Sequence, residues 1–212
     1  MRILLLLLLF SVNLIPQQSD LSKTVNHISE YIASEKLAEI RINVGELAAT
    51  DSIFIDAIKF NELDYGDALL ALMLATVPYN KVPIQVPILN SIVYYPLTSA
   101  DDEIFLKKNN NLPRYLFFDT PQNDYGDKDK LAHFFGSAFL SYESNLFDIG
   151  KLIGYFVEAF EESFKVQSSV DPRDLDVNYY GRLFGSILKE DKSVRPSQIL
   201  LFRSLRYLRV TL

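Results

Sequence analysis

The chain has 212 residues, 49% hydrophobic, 13% aromatic and 23% charged, with 21 basic against 27 acidic side chains and a net charge of −6. Eight glycines and nine prolines are too few for a fibrous or low-complexity protein, and this apolar content excludes whole-chain disorder. The acidic balance argues against a nucleic-acid partner, the absence of Cys excludes disulfides and thiolate metal sites, and two His cannot build a multi-histidine centre in one subunit.

Met1-Arg2-Ile3 followed by the apolar run Leu4 to Ile15 has the anatomy of a secretory signal peptide. The run is shorter than the roughly 20 apolar residues that a membrane span needs. Pro16-Gln17-Gln18-Ser19 carries no A-x-A pattern and is a poor cleavage site; on the charged start and the apolar run, residues 1–19 are read as the signal peptide, with cleavage expected between Gln17 and Leu21. Export to the periplasm or envelope follows, and a chain of this size folds there without disulfides.

Ser22 to Ile40 places Val25, Ile28, Ile32, Leu37 and Ile40 among polar residues, which predicts one helix. Its His27 is expected to be exposed. Glu46 to Phe60 and Asp67 to Val77 also read as helices, the second apolar on all sides and therefore buried, with Pro78 closing it. Lys81 to Leu97, with Pro83, Pro87 and Pro96 among Val, Ile and Tyr around Asn90-Ser91, predicts two short extended segments about a turn. Asp101 to Asn110 predicts a short helix and Leu112 to Asp119 another extended stretch. Thr120 to Asp127 is the best domain boundary. Three helices are expected over about 129–143, 146–165 and 172–189, the last with Asp171 as N-cap and Pro172 in its first turn. Ser197 to Leu212 is apolar and carries Arg203, Arg206 and Arg209, which suit either an anionic membrane surface or pairing with the acidic remainder; pairing is favoured.

Helix geometry gives each of these three helices a face that mixes polar and small residues. Asp129, His133 and Gly136 share one face; Gly150, Gly154, Glu158 and Glu161 share the second, beside Glu162; Asp174, Asn178, Gly181 and Gly185 share the third. Small residues allow close helix approach. The expectation is that Asp129, Lys130, His133, Glu158, Glu161, Asp174 and Asn178 meet in one polar cluster, with Gly136, Gly154, Gly181 and Gly185 at the crossings. Buried carboxylates need compensation, from Lys130, Arg173 or Arg182, a shared proton, or a cation. Asp129, His133, Glu158 and Glu161 form the candidate metal set, with a divalent cation as candidate cofactor. The plainer alternative for His133 is a half-buried ring bonded to Asp129 one turn earlier, and for Asp174 an acid at the N3 position of its helix.

Asp129-Lys130-Leu131-Ala132-His133-Phe134 resembles the D-K-x-x-H-F motif of the VanZ-like proteins and the related YfiM-type lipoproteins of bacterial envelopes. The similarity continues through Gly154-Tyr155-Phe156-Val157-Glu158-Ala159-Phe160-Glu161 and the stretch from Asp174 through Asn178 and Gly181 to Gly185, covering about residues 127–188. Val157 stands where that pattern has Lys, and Glu161 where it has Asp. The resemblance implies a compact helical envelope domain, often membrane-embedded, with no established reaction. Here the apolar run Leu131 to Tyr142 stops at Glu143, and Leu146 to Phe160 is interrupted by Asp148, Lys151 and Glu158, so neither is long enough to span a membrane.

The resulting expectation is a mainly α protein: a compact helical bundle with a small Pro-rich extended or hairpin insertion in the middle. Residues 20–121 form an N-terminal helical region and 122–212 a C-terminal helical domain. Its function is read as that of a non-enzymatic exported protein whose polar cluster fixes helix packing, with a membrane surface or an envelope protein as partner. The alternatives are a metal-dependent hydrolase or transferase and a peripheral lipid-binding module. No phosphate loop, nucleophile elbow or His-Glu-x-x-His helix is present.

Overall fold

The computed structural model describes residues 19–86, 91–143 and 172–205. The signal-peptide residues before Ser19, the expected helix over 146–165 with Gly150, Gly154, Glu158, Glu161 and Glu162, and Arg206 and Arg209 lie outside them. The described residues form a helical bundle with one β-hairpin, and none of their helices is long and apolar enough to cross a membrane.

Helix α1 (Asp20–Ala33) starts at Ser19, whose hydroxyl accepts the Ser22 amide, and buries Val25, Ile28 and Ile32 on one stripe. The single helix expected over 22–40 is two. Ser34 adopts an extended conformation (φ −75°, ψ 152°), donates its amide to Tyr31 O, and accepts the Leu37 amide to start α2 (Glu35–Asn43). Asn111 donates to Ile32 O at 2.6 Å and to Ser34 O at 3.1 Å, so a distant side chain satisfies carbonyls that the break exposes.

Helix α3 (Glu46–Phe60) joins α1 through three polar rungs: Thr24–Asn61, His27–Asp56 and Tyr31–Ser52, at 3.0, 2.8 and 2.6 Å. His27 is therefore half-buried, stacked on Phe60 at 3.9 Å between centroids, and not exposed as expected. Asp64 caps α4 (Tyr65–Thr76), whose Ala68, Leu69, Ala71, Leu72 and Ala75 are all fully buried. The Pro-rich stretch folds as an antiparallel hairpin, β1 (Lys81–Val86) with β2 (Ser91–Pro96), in the register Val82↔Tyr95 and Ile84↔Val93.

Asp101 caps α5 (Asp102–Asn111) with bonds to two amides. The extended stretch expected over 112–119 pairs with no strand among the described residues. Side chains serve its amides instead: Glu46 takes Arg114 N, Asp127 takes Leu116 N, and Thr120 takes Phe117 N. Then come α6 (Lys130–Glu143), α7 (Pro172–Glu190) and α8 (Pro196–Leu205). Asp51 of α3 receives both the amide and the hydroxyl of Ser197 at 2.8 and 2.5 Å, fixing the start of α8.

One buried apolar core runs from Val25 to Leu200. Phe54, Phe134 and Phe184 join α3, α6 and α7, with the Phe184 centroid 5.4 Å from Phe54 and 5.2 Å from Phe134. Helix α6 packs on α7 and also on α4, so buried apolar contacts run across the 120–127 loop.

Candidate functional site

The side chains that meet between α6 and α7 follow from helical spacing. On α6, Lys130, His133, Ser137 and Ser141 lie one turn apart; on α7 their partners are Asp174, Asn178 and Ser186. These pairings advance in the same direction along both helices, so α6 and α7 run parallel. Gly181 makes the approach possible: a Cβ there would strike Phe134 O and lie 2.9 Å from Ser137 Cβ. Gly185 stands against Ala138 O in the same way. Gly136 points elsewhere, against Met73 Sδ of α4, where an added Cβ would lie 2.8 Å from the sulfur.

A parallel pair puts two positive helix N-termini at one end, and the carboxylates of Asp129 and Asp174 gather there. Lys130 Nζ lies 2.5 Å from Asp174 Oδ1 and 3.2 Å from Asp129 Oδ2, and its side chain is only 4% exposed. His133 Nδ1 is 3.3 Å from Asn178 Oδ1, which also accepts the Ser137 hydroxyl at 3.0 Å. With that oxygen accepting, Nδ1 carries the ring proton, and Nε2 stands 3.7 Å from Asp174 Oδ2. The His133 side chain thus bonds Asn178, while the Asp129 backbone oxygen accepts the His133 amide.

Burial dominates the protonation of Asp129 and His133. It raises the Asp129 pKa against the opposing pull of Lys130. It lowers that of His133 despite Asp174 and Asp129, so the imidazole is neutral at neutral pH. Burial likewise raises the phenols of Tyr79 and Tyr125, and the charges of Asp129 and Asp174 add to the effect, so both tyrosines stand within electrostatic range of the cluster.

Asp129, His133 and Asp174 each offer a ligand atom, and these atoms lie within 4.8 Å of one another. Asp129 Oδ1 is buried and accepts no hydrogen bond among the described residues. Carboxylate and imidazole donors suit a divalent cation. Lys130, however, already brings a positive charge to both carboxylates.

A second ionic network adjoins the first. Asp127, fully buried, accepts Leu116 N, the Thr120 hydroxyl and Arg173 Nη2, the last at 2.5 Å. Asp119 receives Arg203 through both its oxygens at 2.6 and 2.9 Å, and Arg173 Nε at 3.3 Å. The guanidinium of Arg203 is fully buried and lies 4.2 Å above the Phe117 ring, so this arginine is committed to the protein and not to a membrane surface. Arg203 beside Asp119 holds the carboxyl down at about 2.

Of the expected cluster, Asp129, Lys130, His133, Asp174 and Asn178 stand together, while Glu158 and Glu161 fall outside the described residues. Lys130 supplies the counter-charge; Arg173 bonds Asp119 and Asp127, and Arg182 is exposed. Sequence reasoning missed Ser137, although it sits four residues after His133. It also missed Asp119, Asp127, Tyr79 and Tyr125, which lie in segments without periodicity. Comparison of the chain with protein-family models, curated proteins and solved structures gives no match.

Proposed function

We propose that the chain is an exported, non-enzymatic envelope protein in which the Asp129–Lys130–His133–Asp174–Asn178 cluster is an internally neutralised lock between α6 and α7. One observation carries the reading of the cluster: a buried lysine lies 2.5 Å from Asp174 Oδ1 and 3.2 Å from Asp129 Oδ2 and brings a positive charge to both carboxylates. The network spans both helices, and breaking a buried ion pair by removing one partner costs about 3–5 kcal/mol. Export rests on the positive start and the apolar run Leu4 to Ile15.

A second reading, a metal-dependent hydrolase or transferase, is favoured by the convergence of Asp129, His133 and Asp174 and by the unbonded Asp129 Oδ1. There the cation would activate a bound water. Metal analysis of protein purified from its native host, followed by thermal unfolding with and without EDTA, separates the two. The lock predicts no stoichiometric metal, no effect of EDTA, and a loss on the order of 3–5 kcal/mol in Lys130→Met. About one equivalent of metal, lost together with its stabilisation in His133→Ala, would overturn the lock in favour of the metal centre. N-terminal sequencing of the same preparation tests export, which an intact Met1 would refute.

A further inference from the structure

Lys108 lies on α5, away from both ionic networks, and is 1% exposed. Its Nζ donates to Val77 O at 2.6 Å and stands 4.7 Å over the Phe105 ring. No carboxylate among the described residues pairs with it. The acids of its own helix start, Asp101, Asp102 and Glu103, are exposed, and Glu103 is taken by Lys107 at 2.7 Å. Helix α1 packs against α5, but its Asp20 is paired with Lys23, its Glu30 is exposed, and its His27 faces Asp56. The acids of α4, Asp64 and Asp67, stand at its N-terminal end, opposite Val77.

Lys108 acts on one segment. Val77 ends α4, and Val77 to Asn80 lead into β1. Asn109, the next residue on α5, donates to Pro78 O at 2.9 Å, and Leu97 N closes the base of the hairpin on Asn80 O at 2.9 Å. Tyr79, which senses the charges of Asp129 and Asp174, lies between these two attachments.

We propose that Lys108 is a proton-operated latch on the root of the β1–β2 hairpin: as a neutral amine it rests buried with Val77 to Asn80 held against α5, and protonation favours release of that segment and exposure of Lys108 to water. A buried cation whose partners among the described residues are a backbone carbonyl and a ring pays desolvation that no described counter-ion offsets. Burial accordingly pushes Lys108 down to about 7 from the ordinary lysine value of 10.5. The sign follows from linkage. Between those two values the released state holds a proton that the latched state lacks, so release becomes rarer as pH rises through that window. Below about 7 both states are protonated and the dependence vanishes.

Native-state hydrogen exchange of the full chain, corrected for intrinsic rates, reads the release directly. From pH 7.5 to 9.5 the opening constant at the Leu97 amide, which is bonded to Asn80 O, should fall by up to about tenfold per pH unit, the limit for one linked proton. Amides in α3 serve as the reference for global effects. Lys108→Met should remove the pH dependence, and Asn109→Ala should raise opening at every pH with the slope retained. A flat wild-type profile, or a slope that survives in Lys108→Met, would overturn the latch. If Lys108→Met does not fold, NMR titration of the Lys108 ε-methylene decides: a midpoint near neutral pH supports the latch, and one near the ordinary lysine value refutes it.

Discussion

Arg203 is the largest fully buried side chain described, and Asp119 is what makes its burial tolerable. Replacing Asp119 by Asn leaves a buried guanidinium facing a neutral amide, with Asp176 at 3.9 Å as a distant second anion, and should cost on the order of 3 kcal/mol. Arg203→Met removes the buried charge itself and should cost less, because Asp119 is partly solvated and keeps Arg173. The depressed Asp119 carboxyl contributes stability above its unfolded value of 3.8, and that contribution is lost as pH falls toward about 2. Urea midpoints at pH 7, 4 and 2.5 check this: wild type should lose stability across the lower interval, and Asp119→Asn should lose less of it. The cluster of His133, Asp174 and Asn178 was legible in the sequence because each residue lies on a helix, where spacing fixes direction. Asp119 and Asp127 were not, since an irregular segment has no period from which a side chain's direction can be read.

At the scale of the element, the spacing of apolar residues located the helices, and one irregularity in it marked an error. Val25, Ile28 and Ile32 keep helical spacing, whereas Leu37 follows Ile32 by five residues and leaves the stripe. Ser34 sits in that interval and breaks the helix. The stretch over 112–119 looked extended because Pro113 opens a run rich in Leu, Phe and Tyr, but no strand among the described residues pairs with it. Nor could the sequence reveal that α6 and α7 are parallel, a property of the path between them. Their crossing gives a prediction in which two effects oppose. Gly181→Ala gains about 1 kcal/mol of helix propensity. It also drives a methyl group into Phe134 O, a backbone atom that cannot yield without moving α6. Overpacking costs about 1–3 kcal/mol, and contact with backbone belongs at the upper end of that range. A net loss of about 2 kcal/mol is expected. Thermal unfolding checks it, and a Gly181→Ala variant as stable as wild type would mean that the helices cross less closely.

The whole molecule behaves as one unit if its core is continuous, and the contacts across residue 121 say where that continuity lies. Helix α4 packs on α6, Phe54 of α3 meets Phe184 of α7, and Asp51 of α3 caps α8 through Ser197. Cutting the chain between 121 and 122 would expose the apolar faces of α3 and α4 on one piece and those of α6, α7 and α8 on the other. Deleting the Phe184 ring alone should cost about 3–5 kcal/mol, already a large part of the 5–15 kcal/mol that stabilises an ordinary domain. The loss of every contact across the cut is then more than the 122–212 piece can sustain. That piece is expected to show no sharp thermal transition by itself, and to regain one when mixed with the 20–121 piece. The uncut chain should unfold in urea as a single step, with helical circular dichroism and fluorescence of its 12 tyrosines changing together, in a protein that has no Trp to dominate the signal. A cooperative transition in the isolated 122–212 piece, or separate midpoints for the two probes, would show that the motif-bearing helices are an independent domain and that the contacts with α3 and α4 only dock one folded body on another.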